Sequence, residues 1–146
     1  MRMTTRVGVA TGALTALLLA VPLAPASRAE TTEDVWGVWQ NPENKSQTQF
    51  YACGEALCAK IVKVVDGQTT DDKNPDATKR SRPIVGLMIM EGAKKTGPNT
   101  WSGTLYNRAD GKSYSGTVKL KSKNELDLSG CVAVVLCKTT TFTRVN

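Results

Sequence analysis

The stretch "WSGTLYNRADGKSYSGTVKL", residues 101–120, contains two runs of alternating apolar and polar residues on either side of an Asp-Gly pair. Asp110-Gly111 between two such runs is the strongest short-range sequence signal for a β-hairpin. Because successive side chains of a strand point to opposite faces, the alternation places one apolar set on a single face. The residues expected on that face are Trp101, Gly103, Leu105, Tyr114, Gly116, Val118 and Leu120.

Six further short runs of the same character lie on both sides of this hairpin, and none has the length or period of a long helix. Eight strands are therefore predicted, at residues 35–40, 47–53, 57–65, 84–90, 100–107, 113–120, 125–130 and 138–145. Short connections favour an all-β, eight-stranded, up-and-down antiparallel barrel, because closure removes the unpaired sheet edges. Gly103 and Gly116 fall within strands, where glycine usually marks a bend or a close approach of the backbone.

Residues 1–29 have the three-part pattern of a secretory signal peptide. Two arginines precede an uncharged apolar run over residues 7–20, which is shorter than the roughly 20 residues of a spanning helix. Cleavage is predicted after Ala29, with Ala26 as a second choice. Residues 30–146 are then expected to form a single barrel domain in the periplasm or outside the cell, without stable membrane insertion.

Removal of residues 1–29 takes away three of the 19 cationic residues and none of the 13 acidic ones, which leaves a net charge of +3. The lysines near residue 120 follow the polar side of a strand and its turn, whereas a nucleic-acid footprint would cluster them with aromatic residues. No nucleic-acid partner is expected from this distribution.

The four cysteines form an even set, which in an exported protein is expected to be disulfide-bonded, with three connectivities available. The short segments "CGEALC" (53–58) and "CVAVVLC" (131–137) each suit a turn with facing cysteines, which favours local pairs. The expected bonds are Cys53–Cys58 and Cys131–Cys137. No metal site is predicted, because the sequence has no histidine and lacks the usual Cys-x-x-Cys spacing.

The most polar segment is "DDKNPDATKRSRP", residues 71–83. Asp72, Asn74 and Asp76 have the spacing of the first three ligands of a calcium loop. Alanine and proline occupy the positions of its sharp-turn glycine and its closing acid, so calcium binding is not predicted. A short helix explains the segment better, with Asn74 as N-cap, Pro75 at the first helical position and cations in the last turn.

The same segment supplies most of a predicted ligand site. Pro83 restricts the preceding residues toward extended geometry, which holds Arg82 at a fixed place on the barrel rim. A rigidly placed guanidinium suits a carboxylate or phosphate, so a small anionic or amphipathic ligand is predicted at the barrel mouth. The predicted site residues are Arg80, Arg82, Asp72, Asn74, Tyr106 and Tyr114. The alternative is an ion pair from Arg82 to Asp72 that only pins the connection.

Short motifs follow one another in a characteristic order from residue 36 to the end of the chain. They are Gly37-x-Trp39, Cys53-Gly54 to Leu57-Cys58, Asp71 to Pro75, Arg82-Pro83 to Gly86, Trp101-Ser102-Gly103 to Tyr106, Asp110 to Tyr114, and Thr143-Arg144. In this order and spacing the chain resembles the bacterial exported family known as domain of unknown function 2147. It departs from the family at Ala59, where glycine is usual, and at Phe142, where tryptophan is common. The resemblance implies a lipocalin-like or calycin-like barrel and no assigned activity.

The Gly-x-Trp of the first strand and the arginine near the end of the last strand also resemble those of lipocalins proper. This resemblance implies that the indole of Trp39 closes one end of the barrel and that the guanidinium of Arg144 stacks across it. Both residues are then structural, with a ligand contact as the alternative.

The sequence contains few residues that are suited to catalysis. Histidine is absent, the thiols are expected to be oxidised, and no serine lies in a nucleophile-elbow context. The acids available for a carboxylate pair are Asp72, Asp110 and Asp127, of which the last two have ordinary turn and surface positions. Neither an enzymatic activity nor a cofactor is therefore expected.

Two classes of function remain. Binding of a small molecule suits the concave, partly apolar mouth of a closed barrel, although fold by itself is a weak basis for a function. The alternative is a cell-envelope module that contacts another protein, or has a structural role, without a ligand pocket. The mark of that class is an exposed apolar patch, and "CVAVVLC" (131–137) is the segment that would supply one.

Overall fold

The computed structural model describes residues 32–145 and the isolated residue Gly8. The predicted signal peptide and its cleavage site lie outside the described residues, apart from Gly8. Within the described part of the chain, no helix is long and apolar enough to cross a membrane.

Residues 32–145 form eight antiparallel strands and two short 3-10 turns, the latter at Thr32–Val35 and Ala77–Lys79. The strands are β1 (Gly37–Gln40), β2 (Gln47–Cys53), β3 (Ala56–Lys63), β4 (Met88–Gly97), β5 (Thr100–Asn107), β6 (Lys112–Ser122), β7 (Glu125–Val132) and β8 (Leu136–Arg144). Each strand pairs with its neighbours in sequence, and β8 pairs with β1, so that the sheet closes on itself. The predicted all-β, eight-stranded, up-and-down antiparallel barrel is thereby confirmed.

The strand that differs most from the prediction is β4, which covers Met88–Gly97, whereas the apolar pattern predicts 84–90. The N–H of Ile84 donates to the carbonyl of Thr69 at 2.9 Å, and the N–H of Leu87 donates to that of Ile84 at 3.0 Å. These residues therefore form a turn that ends the preceding connection. Both residues are buried. They are apolar because the connection covers them, and not because they belong to the sheet. The bounds of the other seven strands lie within two residues of those predicted.

The two ends of the barrel differ in how they are covered. The closed end carries the first 3-10 turn and the short turns after β2, β4 and β6, and the open end carries the connections at residues 41–46, 64–87, 108–111 and 133–135. Trp101, Leu120 and Leu126 are buried close to the closed-end turns. Because large side chains fill this half of the barrel, any interior space lies toward the open end.

Trp39 and Arg144 meet at the closed end. The indole is 0% exposed, and its Nε1 donates to the carbonyl oxygen of Val35 at 2.9 Å. The guanidinium carbon of Arg144 lies 4.2 Å from the centroid of the indole ring, within the range of a cation–π contact. The geometry is that of a side-chain plug covered by a cation.

The guanidinium of Arg144 also holds the chain that enters β1. It donates to the backbone carbonyl oxygens of Asp34, Trp36 and Lys123. A Cβ atom on Gly37 would lie 2.7 Å from Nη1 of Arg144, and the φ angle of Gly37 is +135°. The positive φ angle favours glycine at this position, and the absence of a side chain leaves room for the guanidinium.

Both disulfides are local, as predicted. Cys53–Cys58 links β2 to β3 beside their closed-end turn, and Cys131–Cys137 links β7 to β8 beside their open-end turn. No free cysteine occurs among the described residues. The second bond closes a hairpin that contributes to the candidate site below.

Three glycines, Gly103, Gly116 and Gly130, pair in a row across β5, β6 and β7. A Cβ atom on Gly116 would lie 2.7 Å from Cβ of Leu105 and 2.8 Å from Cε of Met90, which is closer than packed carbon atoms approach. The glycine within this strand therefore marks a close approach between backbone and core side chains.

Replacing Gly116 by alanine is expected to lower the free energy of unfolding by about 1–3 kcal/mol, because the core must shift to admit a methyl group. Gly130→Ala is the matched control, since its Cβ would meet the nearest atom, Cδ2 of Leu105, at an ordinary 3.4 Å. Urea unfolding of the two variants measures the difference. Equal stability of the two would contradict the tight packing around Gly116.

Candidate ligand-binding site

The long connection between β3 and β4 is fastened to β5 by a buried carboxylate, that of Asp71. The hydroxyl of Tyr106 donates to its Oδ1 at 2.6 Å, and Nδ2 of Asn74 donates to its Oδ2 at 2.7 Å. Nε of Arg82 donates to the same Oδ2 at 2.9 Å, and Nη2 of Arg82 lies 2.8 Å from that oxygen in an ion pair. Three hydrogen bonds and the ion pair thus offset the burial of the charge. We call these four residues the Asp71 cluster.

Burial, followed by the hydrogen bond to Asp71, raises the pKa of Tyr106 above its usual value. The hydroxyl therefore stays protonated at neutral pH and remains a donor to the carboxylate. The guanidinium of Arg82 also lies 5.7 Å from the centroid of the Tyr106 ring. The Asp71 cluster is consequently satisfied by contacts within the protein.

The ion pair of Arg82 is made with Asp71 and not with Asp72, which corrects the alternative drawn from the sequence. The chain runs antiparallel to itself here, and the N–H of Asp71 donates to the carbonyl of Arg82 at 3.0 Å. Because neighbouring side chains of an extended chain point to opposite sides, only one of the two aspartates can face Arg82. Asp72 is exposed and accepts from Nε2 of Gln68 at 3.0 Å, a bond that lowers the pKa of Asp72.

The predicted helix in this connection is a single 3-10 turn, Ala77–Lys79, and its N-cap is Asp76 instead of Asn74. The carboxylate of Asp76 accepts from the N–H of Thr78 at 3.0 Å. Asn74 lies in the turn just before the 3-10 turn, where its Oδ1 accepts from the N–H of Asp76 at 2.9 Å and its amide nitrogen donates to Asp71 and Tyr106. The helical turn therefore begins two residues later than predicted.

A cavity of about 710 Å³ occupies the open half of the barrel. Apolar side chains from five strands, β3, β4, β5, β7 and β8, form part of its inner wall. Hydroxyl groups from Thr48, Thr140 and Tyr114 are among its polar members. The apolar members of this wall include Ile61, Ile89, Leu105, Leu128 and Phe142. Gly130 also lines the cavity, where it leaves space that a side chain would fill.

The rim of the cavity carries charged groups that are paired with one another. Arg108 is buried, and its guanidinium donates to both carboxylate oxygens of Asp66 and to Oε1 of Gln68. The hydrogen bond from Arg108 lowers the pKa of Asp66, so the pair stays ionised at neutral pH. Across the mouth, Nζ of Lys138 lies 3.0 Å from a carboxylate oxygen of Glu43.

Of the six residues predicted to line the mouth, two border the cavity and four do not. Tyr106 and Tyr114 border the cavity, and the hydroxyl of Tyr114 donates to the carboxylate of Asp110, a bond that raises the pKa of Tyr114. Arg80 is directed to the backbone, where its Nε donates to the carbonyl of Asn74 at 2.7 Å. The predicted residues that do not border the cavity are Arg80, Arg82, Asp72 and Asn74. The prediction that these four residues line the mouth is wrong. Arg80 and Arg82 instead contact groups within the connection, Asn74 and Asp71.

The β7–β8 hairpin ends in an exposed apolar segment beside the mouth. We call residues 132–136, "VAVVL", the apolar tip. Val134 is 95% exposed and Val135 is 83% exposed, and Val132 and Leu136 are more than half exposed. Val132, Val135 and Leu136 also border the cavity, so the apolar tip and the cavity wall form one continuous surface. This is the segment that the sequence singled out as a potential apolar patch.

A closed barrel with one plugged end and a cavity at the other defines the chain as a lipocalin-like protein. The chain belongs to the bacterial family described as "Uncharacterized protein conserved in bacteria (DUF2147)", whose profile matches residues 37–144. The family resemblance drawn from the sequence motifs is thereby confirmed.

A solved structure is similar over most of its length. It is protein HP1028 from the human pathogen Helicobacter pylori, described as belonging to the lipocalin family. The two chains share 26% identity with a TM-score of 0.70, over 77% of this chain and 83% of the other. A comparison with curated proteins finds no match. The bacterial family and the two disulfides are consistent with an extracytoplasmic location.

Proposed function

We propose that this protein binds a small amphipathic ligand in the open-end cavity, in the periplasm or outside the cell, and that it does so as a carrier or sensor without catalysis or cofactor. The observation that carries the proposal is the cavity itself. Its volume of about 710 Å³ falls within the roughly 300–1,000 Å³ of small-molecule sites. Its inner wall is rich in apolar side chains, and its charged groups are concentrated at the rim.

The arrangement of the wall suits a molecule with two unlike ends. Leu105, Leu128 and Phe142 offer apolar surface for an aliphatic or aromatic part. The hydroxyl of Tyr114 and the ion pairs at the rim offer donors and acceptors for a polar head group. An apolar wall with a few placed polar groups is the usual construction of a ligand site.

The rim does not favour a negative charge on the head group. Its cations, Arg108 and Lys138, are each paired with an acid, and Asp110 adds a further carboxylate. Arg80 and Arg82, on which an anionic ligand was predicted from the sequence, are engaged within the connection. We therefore expect ligand selectivity to depend on the apolar part of the ligand and on hydrogen bonds to its head group, and not on a negative charge.

Filling the cavity tests this function directly. Gly130→Leu is expected to weaken binding of a fluorescent amphiphile, dansyl-labelled undecanoic acid, by about tenfold or more, because the new side chain occupies space that the ligand needs. The matched control is Gly97→Leu at the closed end, where a Cβ would meet only Thr100 at 3.9 Å. Fluorescence titration of both variants, each first shown by circular dichroism to be folded, measures the effect.

The head group is tested by competition in the same assay. Dodecanol is expected to displace the probe at least as well as dodecanoate, since the rim cations are already paired. Failure of the wild-type protein to bind any of these amphiphiles, or equal binding by the Gly130→Leu and wild-type proteins, would contradict the proposed function.

A further inference from the structure

The apolar tip is the most exposed apolar segment among the described residues, and it is held in one shape. The bond Cys131–Cys137 closes the hairpin directly behind it, and Val132 pairs with Leu136 at its base. No charged residue lies between the two cysteines. Exposed apolar surface of this kind marks a site of contact with a membrane or with another protein.

The size of the tip favours a lipid surface over a protein partner. A stable protein interface takes about 20–30 residues on each side, whereas the tip consists of five residues at the end of one hairpin. Shallow insertion into the headgroup region of a bilayer needs only a few apolar side chains, and it is strengthened by attraction between cations and anionic lipids.

The charges near the tip agree with a lipid surface. The connections at the open end hold equal numbers of cations and acids, and Lys112 and Lys138, at the open ends of β6 and β8, add two further cations, of which Lys138 is paired with Glu43. Residues 30–146 have a net charge of +3. Anionic headgroups attract positive surface charge over about a Debye length.

We propose that the apolar tip docks the open end of the barrel onto an anionic lipid bilayer, so that an amphipathic ligand passes between the bilayer and the cavity. The docking stands on the tip alone, and the passage of a ligand rests on the proposed function. Because Val135 and Leu136 belong to both the tip and the cavity border, a ligand leaving the bilayer there need not cross a polar surface.

The test is flotation of the purified protein with vesicles of equimolar phosphatidylglycerol and phosphatidylethanolamine. Wild type is expected to float with the vesicles, and Val134→Asp is expected to reduce its partition coefficient by about tenfold or more, because a charge at the tip opposes insertion. Val134 does not line the cavity. The matched control is Val85→Asp on the long connection, at a valine that is also exposed and does not line the cavity, and it should float like wild type.

Wild type that stays in the soluble fraction, or a Val134→Asp variant that floats like wild type, would overturn the docking. A wild-type protein that ignores vesicles but forms a dimer in sedimentation, lost in Val134→Asp, would assign the tip to a second copy of the chain instead.

The two proposals fail separately. Val134→Asp should still bind the dansyl-labelled amphiphile in buffer, and Gly130→Leu should still float with vesicles. If the wild-type protein floats with vesicles but does not bind the amphiphile, the proposed ligand binding is contradicted. If it binds the amphiphile but does not float, the proposed docking is contradicted.

Discussion

Replacing Trp39 by alanine is expected to lower the free energy of unfolding by about 3–5 kcal/mol, the cost of deleting a large buried aromatic side chain. The indole has no exposed surface, makes the hydrogen bond to Val35, and supports the guanidinium of Arg144. The variant leaves a cavity at the closed end that the surrounding strands cannot fill, because the barrel is held by a continuous hydrogen-bonded sheet. Urea unfolding followed by circular dichroism measures the loss.

Two variants serve as controls for this plug. Trp36→Ala removes a tryptophan that is 39% exposed, three residues earlier, and it should cost much less. Arg144→Ala should cost less than Trp39→Ala, because the arginine bonds backbone carbonyls at the surface of the closed end. If Trp39→Ala lowers the free energy of unfolding by no more than Trp36→Ala does, Trp39 is not the plug of the closed end.

The second large effect is expected at Asp71. Its replacement by alanine should cost about 3 kcal/mol, the low end for removing one partner of a buried ion pair, because the Arg82 side chain is itself partly exposed. The change leaves the hydroxyl of Tyr106 without its acceptor and removes one of the two acceptors of the Asn74 amide nitrogen. Unfolding in urea measures the cost, and amide hydrogen exchange over residues 64–87 should speed up as the connection comes loose.

The neighbouring aspartate is the matched control. Asp72→Ala removes an exposed carboxylate one residue away and should leave both the unfolding free energy and hydrogen exchange close to those of wild type. If the two variants lose the same stability, the Asp71 cluster is not what fastens the connection to β5.

Much of the scaffold follows from local sequence alone. The alternation around Asp110-Gly111, and the similar runs before and after it, correctly predict eight strands and their order, because the period of two and the turn type depend on adjacent residues. The spacing of the cysteines likewise predicts both disulfides, since each joins residues on either side of one turn. The bounds of β4 were the exception: the strand extends to Gly97, and its predicted start was wrong because Ile84 and Leu87 are buried by the connection and not by the sheet.

The candidate site depends on contacts that no local pattern contains. Arg108 meets Asp66 across 42 residues, and Tyr106 meets Asp71 across 35. The sequence held only a weak signal for the first of these pairs. Arg108 directly follows an apolar strand, where a buried cation needs an acidic partner, but no nearby residue identifies that partner as Asp66.

Sequence by itself determined that this chain forms a closed antiparallel barrel with two local disulfides, because alternation, turns and short spacings act between residues close along the chain. Tertiary structure alone decided that Asp71 and not Asp72 receives Arg82, that Asn74 joins a cluster instead of capping a helix, and that the open half of the barrel stays unfilled. Closure of the barrel brings distant segments to one rim, and the volume left between them depends on the positions of all the strands at once.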